Sequence, residues 1–121
     1  MLVKELPNTK KQIEEILNYL CRNDIDGLNK HDLINDRTTI PEIKDFLDKY
    51  LANQNNLLVK FEPPPVDHID DSVIRPGWSE SDMLVDIDLW GNGQATDATA
   101  ILRIEITDDS TFVKLHDVRV L

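Results

Sequence analysis

The chain has 121 residues, with a single cysteine, four glycines and only 13 basic residues against 23 acidic ones. One cysteine, Cys21, excludes an intramolecular disulfide and any CxxC metal pair. No stretch approaches the ~18 consecutive apolar residues of a membrane span. The opening Met1-Leu2-Val3-Lys4-Glu5 lacks the apolar core of a secretory signal, so a cytoplasmic location is expected. No Walker loop, GxGxxG or G-x-S-x-G element occurs. Asp24-Ile25-Asp26-Gly27 looks like part of a calcium loop, but Leu33 stands where the closing glutamate is needed. The net charge of −10 disfavours direct contact with nucleic acid phosphates, because binding would bring like charges together.

What is present begins with the distribution of charge. Residues 61–121 carry thirteen acids and four bases (Arg75, Arg103, Lys114, Arg119), a balance of −9. Residues 1–60 carry ten acids and nine bases, a balance of −1. Like charges oppose compaction, so the fold itself does not need this imbalance. Its simplest use is a basic partner. The 40% apolar and 30% charged content is that of a soluble globular protein, and the length suits one domain, 1–121.

Hydrophobic spacing divides the chain into two regimes. Thr9-Lys10-Lys11-Gln12 reads as a capping box, followed by a helical stripe of Ile13, Ile16, Leu17, Leu20 and Cys21. Cys21 is thereby expected to pack in the core. A turn and short helical segment follow, with Ile25, Leu28, Leu33 and Ile34 facing inward, and 35–38 is loop. Thr39-Ile40-Pro41-Glu42 reads as a second capping box, leading a stripe of Ile40, Ile43, Phe46, Leu47, Tyr50 and Leu51 that ends at 52–56. Leu57–Phe61 is a strand candidate stopped by Pro63-Pro64-Pro65. From Met83 the period becomes two: Met83, Val85, Ile87 and Leu89 form one face, and Ala100, Leu102, Ile104 and Ile106 another. Gly91-Asn92-Gly93 and Asp108-Asp109-Ser110 are turns. The apolar phase slips at His116-Asp117, between Val113/Leu115 and Val118/Val120, which predicts a β-bulge. The expected fold is α+β: N-terminal helices on one face of a curved antiparallel sheet of three or four strands.

Two segments carry a resemblance. The first helix, Asn23-Asp24-Ile25-Asp26-Gly27-Leu28 and the second helix resemble the opening of the NTF2-like fold over residues 9–60. That fold implies a curved sheet and an internal cavity. Trp78, Val85-Asp86-Ile87-Asp88-Leu89-Trp90, Thr96-Asp97 and His116-Asp117-Val118-Arg119-Val120-Leu121 resemble a group of small uncharacterised bacterial domains whose members read W-x-V-x-V-D-L-W, then G-R-S-D, then H-V-L. Here Gly93-Gln94-Ala95-Thr96-Asp97 and Val118-Arg119 depart from that pattern. In size and acidity the chain is similar to the immunity proteins of contact-dependent growth inhibition systems (the CdiI type), a class likeness carried by no motif.

Three constellations are candidates for chemistry. Asp67-His68-Ile69-Asp70-Asp71 gathers a histidine and three carboxylates, which suits a divalent cation or, more blandly, a solvated acidic loop. His116-Asp117 sits at the expected bulge, although strand neighbours point to opposite faces. Asp86, Asp88 and Glu105 lie on the polar phase of two strands, where Arg103 and Lys114 offer partners. Trp78 and Trp90 flank this region, one of them expected in the core. The reading that follows is a binding module of the immunity type. It covers a basic toxin domain, such as a nuclease, with Asp67, Asp70, Asp71, Glu80, Asp82, Asp86, Asp88 and Glu105. No catalytic residue, metal or cofactor is assigned. The alternatives are an NTF2-like small-molecule binder or enzyme, and a regulatory interaction domain without a toxin.

Overall fold

A computed structural model describes residues 1–54, 57–58 and 60–121. Four helices, α1 (Pro7–Cys21), α2 (Ile25–Lys30), α3 (Ile40–Ala52) and α4 (Val66–Asp70), precede four strands, β1 (Ile74–Pro76), β2 (Asp82–Gly91), β3 (Gln94–Ile106) and β4 (Thr111–Val120). The strands form one open antiparallel sheet in the order β1-β2-β3-β4. The α+β architecture is therefore the one that the two periodicities imply.

Each helix stripe finds the sheet. Ile13, Ile16, Leu17 and Leu20 of α1 and Ile43 and Leu47 of α3 are buried in one core with Val85, Ile87, Leu89, Ala100, Leu102, Ile104, Val113 and Leu115 of the inner sheet face. Burying such side chains is worth about 1.5–3 kcal/mol each, which explains why the stripes outweigh local capping preferences. The inner face carries no carboxylate among the core residues, and it is covered by these apolar side chains.

Several local expectations are corrected. The first capping box does not form: α1 starts earlier, at Pro7, because proline is already shaped for a first helical turn. Thr9 is left inside the helix, buried, with its hydroxyl 3.1 Å from that of Thr111. At α3 the N-cap is Thr39, as read, but its hydroxyl donates to the Asp36 carbonyl at 2.6 Å instead of capping. The segment read as loop at 35–38 contains a 3-10 turn, Arg37–Thr39, capped by Asp36. Leu57, Leu58, Lys60 and Phe61 form no strand; only Glu62 bridges to Trp90. Val59 of that candidate, and Asn55 and Asn56 at the expected end of α3, lie outside the described residues. The acidic cluster at 67–71 is not a loop, because most of it forms α4.

The strand readings hold more closely. Asn92 (φ 55°) and Gly93 (φ 80°) make the tight β2–β3 turn, where two positive φ angles suit Asn-Gly. The bulge on β4 falls where the apolar phase slips: Asp117 pairs with Ile101 and Leu115 with Leu102, leaving His116 unpaired between them. The outer edge of β4 is closed by other parts of the chain. Gln12 of α1 accepts from the Val113 amide and donates to the Thr111 carbonyl, each at 2.9 Å. Leu33 and Asn35 pair with Leu115, and the Asp117 carboxylate takes the Val118 amide. Such capping blocks strand addition by another chain.

Candidate functional site

Strand alternation puts Asp82, Leu84, Asp86, Asp88 and Trp90 of β2 on the face away from α1 and α3, opposite Glu105, Arg103, Ile101 and Thr99 of β3. Phe112, Lys114, Asp117 and Arg119 continue that face on β4. All four bases of the C-terminal half stand on it. Arg75 pairs with Asp86 at 2.9 Å, Arg103 with Asp82 at 2.8 Å and Glu105 at 2.9 Å, and Arg119 with Asp117 at 3.8 Å. Lys114 reaches Asp32 at 3.5 Å. Five acids against four bases leave the outer sheet face close to neutral. The pairing that the sequence allowed for this face is present: the few bases of this half engage Asp82, Asp86 and Glu105, three of the acids read as partner-binding. Asp88 accepts from the Thr99 hydroxyl at 3.1 Å and lies 3.9 Å from His68 Nε2.

The charge imbalance is displaced to α4 and the loops. Asp70 pairs with Lys10 at 2.7 Å, and Asp71 with Lys4 at 3.5 Å. The Lys10 ammonium is pushed above the usual lysine range, chiefly by its hydrogen bond to Asp70. Glu62 accepts from the Gly93 amide, and Asp97 from the Tyr50 hydroxyl. Of the thirteen acids, Asp67, Glu80, Asp108 and Asp109 make no side-chain hydrogen bond or ion pair among the described residues. The candidate cation cluster at 67–71 does not converge. Asp70 and Asp71 turn toward two different lysines, and His68 turns toward Asp88 and Trp90. Among the described residues no group of three His, Cys, Asp or Glu side chains is placed to hold a metal.

Three of those four acids share one end of the molecule. The Ile106 amide donates to the Ser81 carbonyl at 2.8 Å, which joins the turn carrying Glu80 to the end of β3. Thr107 and Ser110 close the next turn over Asp108 and Asp109. At this end a groove of about 730 Å³ runs between the start of α1 and the β3–β4 turn, lined by Leu6, Pro7, Ile106, Asp108, Asp109 and Phe112 among others. Ile106 is 39% exposed, Phe112 50% and Trp78 61%. The exposed tryptophan is therefore Trp78, whereas Trp90 is half-buried, edge-on to His68 with ring centroids 5.5 Å apart.

Trp78 is held, not loose. Its ring meets His116 edge-on, centroids 4.7 Å apart. The loop beneath it is organised by Asp82, a carboxylate that is 3% exposed and accepts from the Ser79 amide (2.7 Å), the Ser79 hydroxyl (3.1 Å) and Arg103 Nε (2.8 Å). The Ser79 amide bond is the main reason that the Asp82 carboxyl titrates below the usual range, with Arg103 adding to it. Gly77 makes room for that carboxylate: a Cβ there would stand 2.4 Å from Asp82 Oδ1. Arg103 Nη1 also donates to Asn35 Oδ1 at 3.0 Å, which ties the 33–35 segment into the same network.

Sequence reading thus missed Asp108, Asp109, Ile106 and Phe112. One signal was available. Phe112 shares the polar phase of β4 with Lys114, an apolar residue where alternation asks for a polar one. No family model, curated protein or solved structure matches this chain. No described helix is long and apolar enough to cross a membrane.

Proposed function

We propose that this chain is a binding module that covers a basic surface of a protein partner, in the manner of an immunity protein on a cationic toxin domain such as a nuclease. One observation carries the reading: unpaired Glu80, Asp108 and Asp109 share one end of the sheet with exposed Trp78, Phe112 and Ile106. An exposed aromatic anchor at an end that also carries unpaired carboxylates suits a basic partner. The aromatic residue supplies contact area, and the charges raise the on-rate and reject acidic competitors. The rigid Asp82 loop adds pre-organisation, which lowers the ordering cost of docking. A nuclease must itself bind phosphates, so its active face is basic and complementary. A cytoplasmic location belongs to the same proposal. A cavity-based enzyme is less well supported, because apolar side chains occupy the inner sheet face.

The test is a growth assay with the C-terminal domain encoded immediately upstream. That domain alone should stop growth, and this chain should restore it. Reversal of the unpaired acids, Glu80→Lys with Asp108→Lys and Asp109→Lys, should abolish rescue, and wild-type association should weaken with added salt. Reversing Asp26 and Asp48, in the helical N-terminal half, should not matter. A harmless neighbour, or one that kills despite the wild-type chain, removes the immunity reading. Full rescue by the triple reversal moves the interface elsewhere.

A further inference from the structure

His116 is the unpaired residue of the β4 bulge, and its ring is the seat of Trp78. Its neighbour Asn35 decides the state of that ring. Arg103 Nη1 donates to Asn35 Oδ1 at 3.0 Å, so the oxygen of this amide is committed. What faces His116 Nδ1, at 3.4 Å, is Asn35 Nδ2. An amide nitrogen offers only hydrogens, so the neutral ring accepts at Nδ1 and carries its proton on Nε2. The imidazolium form has an N–H at both positions and would set one N–H against another. Asn35 cannot answer by rotating its amide. That would turn Nδ2 onto the guanidinium, which Asp82 and Glu105 hold in place.

From this conflict we infer that protonation of His116 unseats Trp78, so that the position of the anchor responds to pH. The charges around the ring do not remove the conflict. Arg103, reached through Asn35, and Lys114, two residues away on β4, oppose a positive ring. Asp117, next to it on the same strand, and Asp36, across from it, favour one. Two charges of each sign thus stand near the ring, and the donor-against-donor contact carries the inference. The movement of Trp78 stands on this geometry alone. Its consequence, weaker docking in mild acid, rests on the function proposed above.

The experiment uses the intact chain with Trp90→Phe, which leaves Trp78 as the only tryptophan. The substitution also removes the signal that His68 would impose on Trp90. It strands no partner, because the Trp90 indole N–H has no acceptor among the described residues. Emission and acrylamide quenching are followed from pH 8 to pH 5, with far-ultraviolet circular dichroism as the check on folding. The expected result is a single transition within this range. The acid form should be red-shifted and more accessible to quencher, and a second variant with His116→Gln added should lack the transition. A flat trace, or the same transition in the double variant, overturns the inference. Should Trp90→Phe fail to fold, nitrogen-15 NMR of the unmodified chain reads the ring directly. An unprotonated Nδ1 at pH 8 supports the inference, and an Nδ1–H tautomer overturns it. A negative growth assay leaves either readout untouched, so the two failures are separable.

Discussion

Gln12 offers the sharpest test of how the sheet edge is closed. Its side-chain amide behaves as a one-residue extra strand, taking the Val113 amide and supplying a proton to the Thr111 carbonyl, both at 2.9 Å. Gln12→Ala removes both bonds. Each is worth about 1 kcal/mol net, and stranding the amide of buried Val113 adds part of a desolvation penalty. The expected loss is therefore roughly 2–3 kcal/mol, a large share of the ~5–15 kcal/mol by which a domain is stable. The midpoint of thermal unfolding should fall by about 6–12 °C in a chain of this size. Gln12→Glu separates the two bonds. A carboxylate still accepts from Val113 but faces the Thr111 carbonyl without a proton, which raises its pKa in the folded state. Its penalty relative to the unmodified chain is full at neutral pH and shrinks as the pH falls through that raised pKa. Urea unfolding of the three proteins at pH 7 and pH 4 measures both effects. A loss below ~0.5 kcal/mol for Gln12→Ala, or a Glu penalty that grows on acidification, would refute the account of Gln12 as an edge cap.

Two further outcomes follow from titrating groups. The folded Asp82 carboxyl lies below its unfolded value of 3.8, so its contribution to stability is complete above that value and is lost as the pH falls through the lower, folded one. Loosening of the Trp78 loop from this source should appear only below about pH 4; Asp82→Asn should remove the acid phase in Trp78 emission, and its survival in that variant would rule out Asp82 as the cause. Burial pushes the Cys21 thiol up to about 11, so at pH 8 the folded chain should react with a disulfide reagent far more slowly than the urea-unfolded chain, and equal rates would contradict the packing of Cys21 against the core.

Much of the fold was legible because burial leaves a periodic trace. Ile13, Ile16, Leu17 and Leu20 could share a face only on a helix, and Val85, Ile87 and Leu89 only on a strand. The phase slip around His116 located the bulge for the same reason: one inserted residue reverses which side chains face the core. Capping was less legible. Thr9 and Gln12 have the residue types of a capping box, yet their side chains serve Thr111 and β4 across about a hundred residues of chain. A local pattern cannot register a competitor so distant in sequence.

The candidate site shows the same division. From the sequence alone came the acidic excess of the second half, the scarcity of its bases and the helix-then-strand order. Composition and periodicity are properties of the chain before it folds. Which carboxylates remain unpaired was decided only by the tertiary structure. Alternation and register brought all four bases onto the outer face beside Asp82, Asp86, Glu105 and Asp117. Glu80, Asp108 and Asp109 were left at the sheet end with Phe112, Ile106 and Trp78. Pairing depends on distances of a few ångströms between residues far apart in the chain, and such distances exist only once the strands are in register.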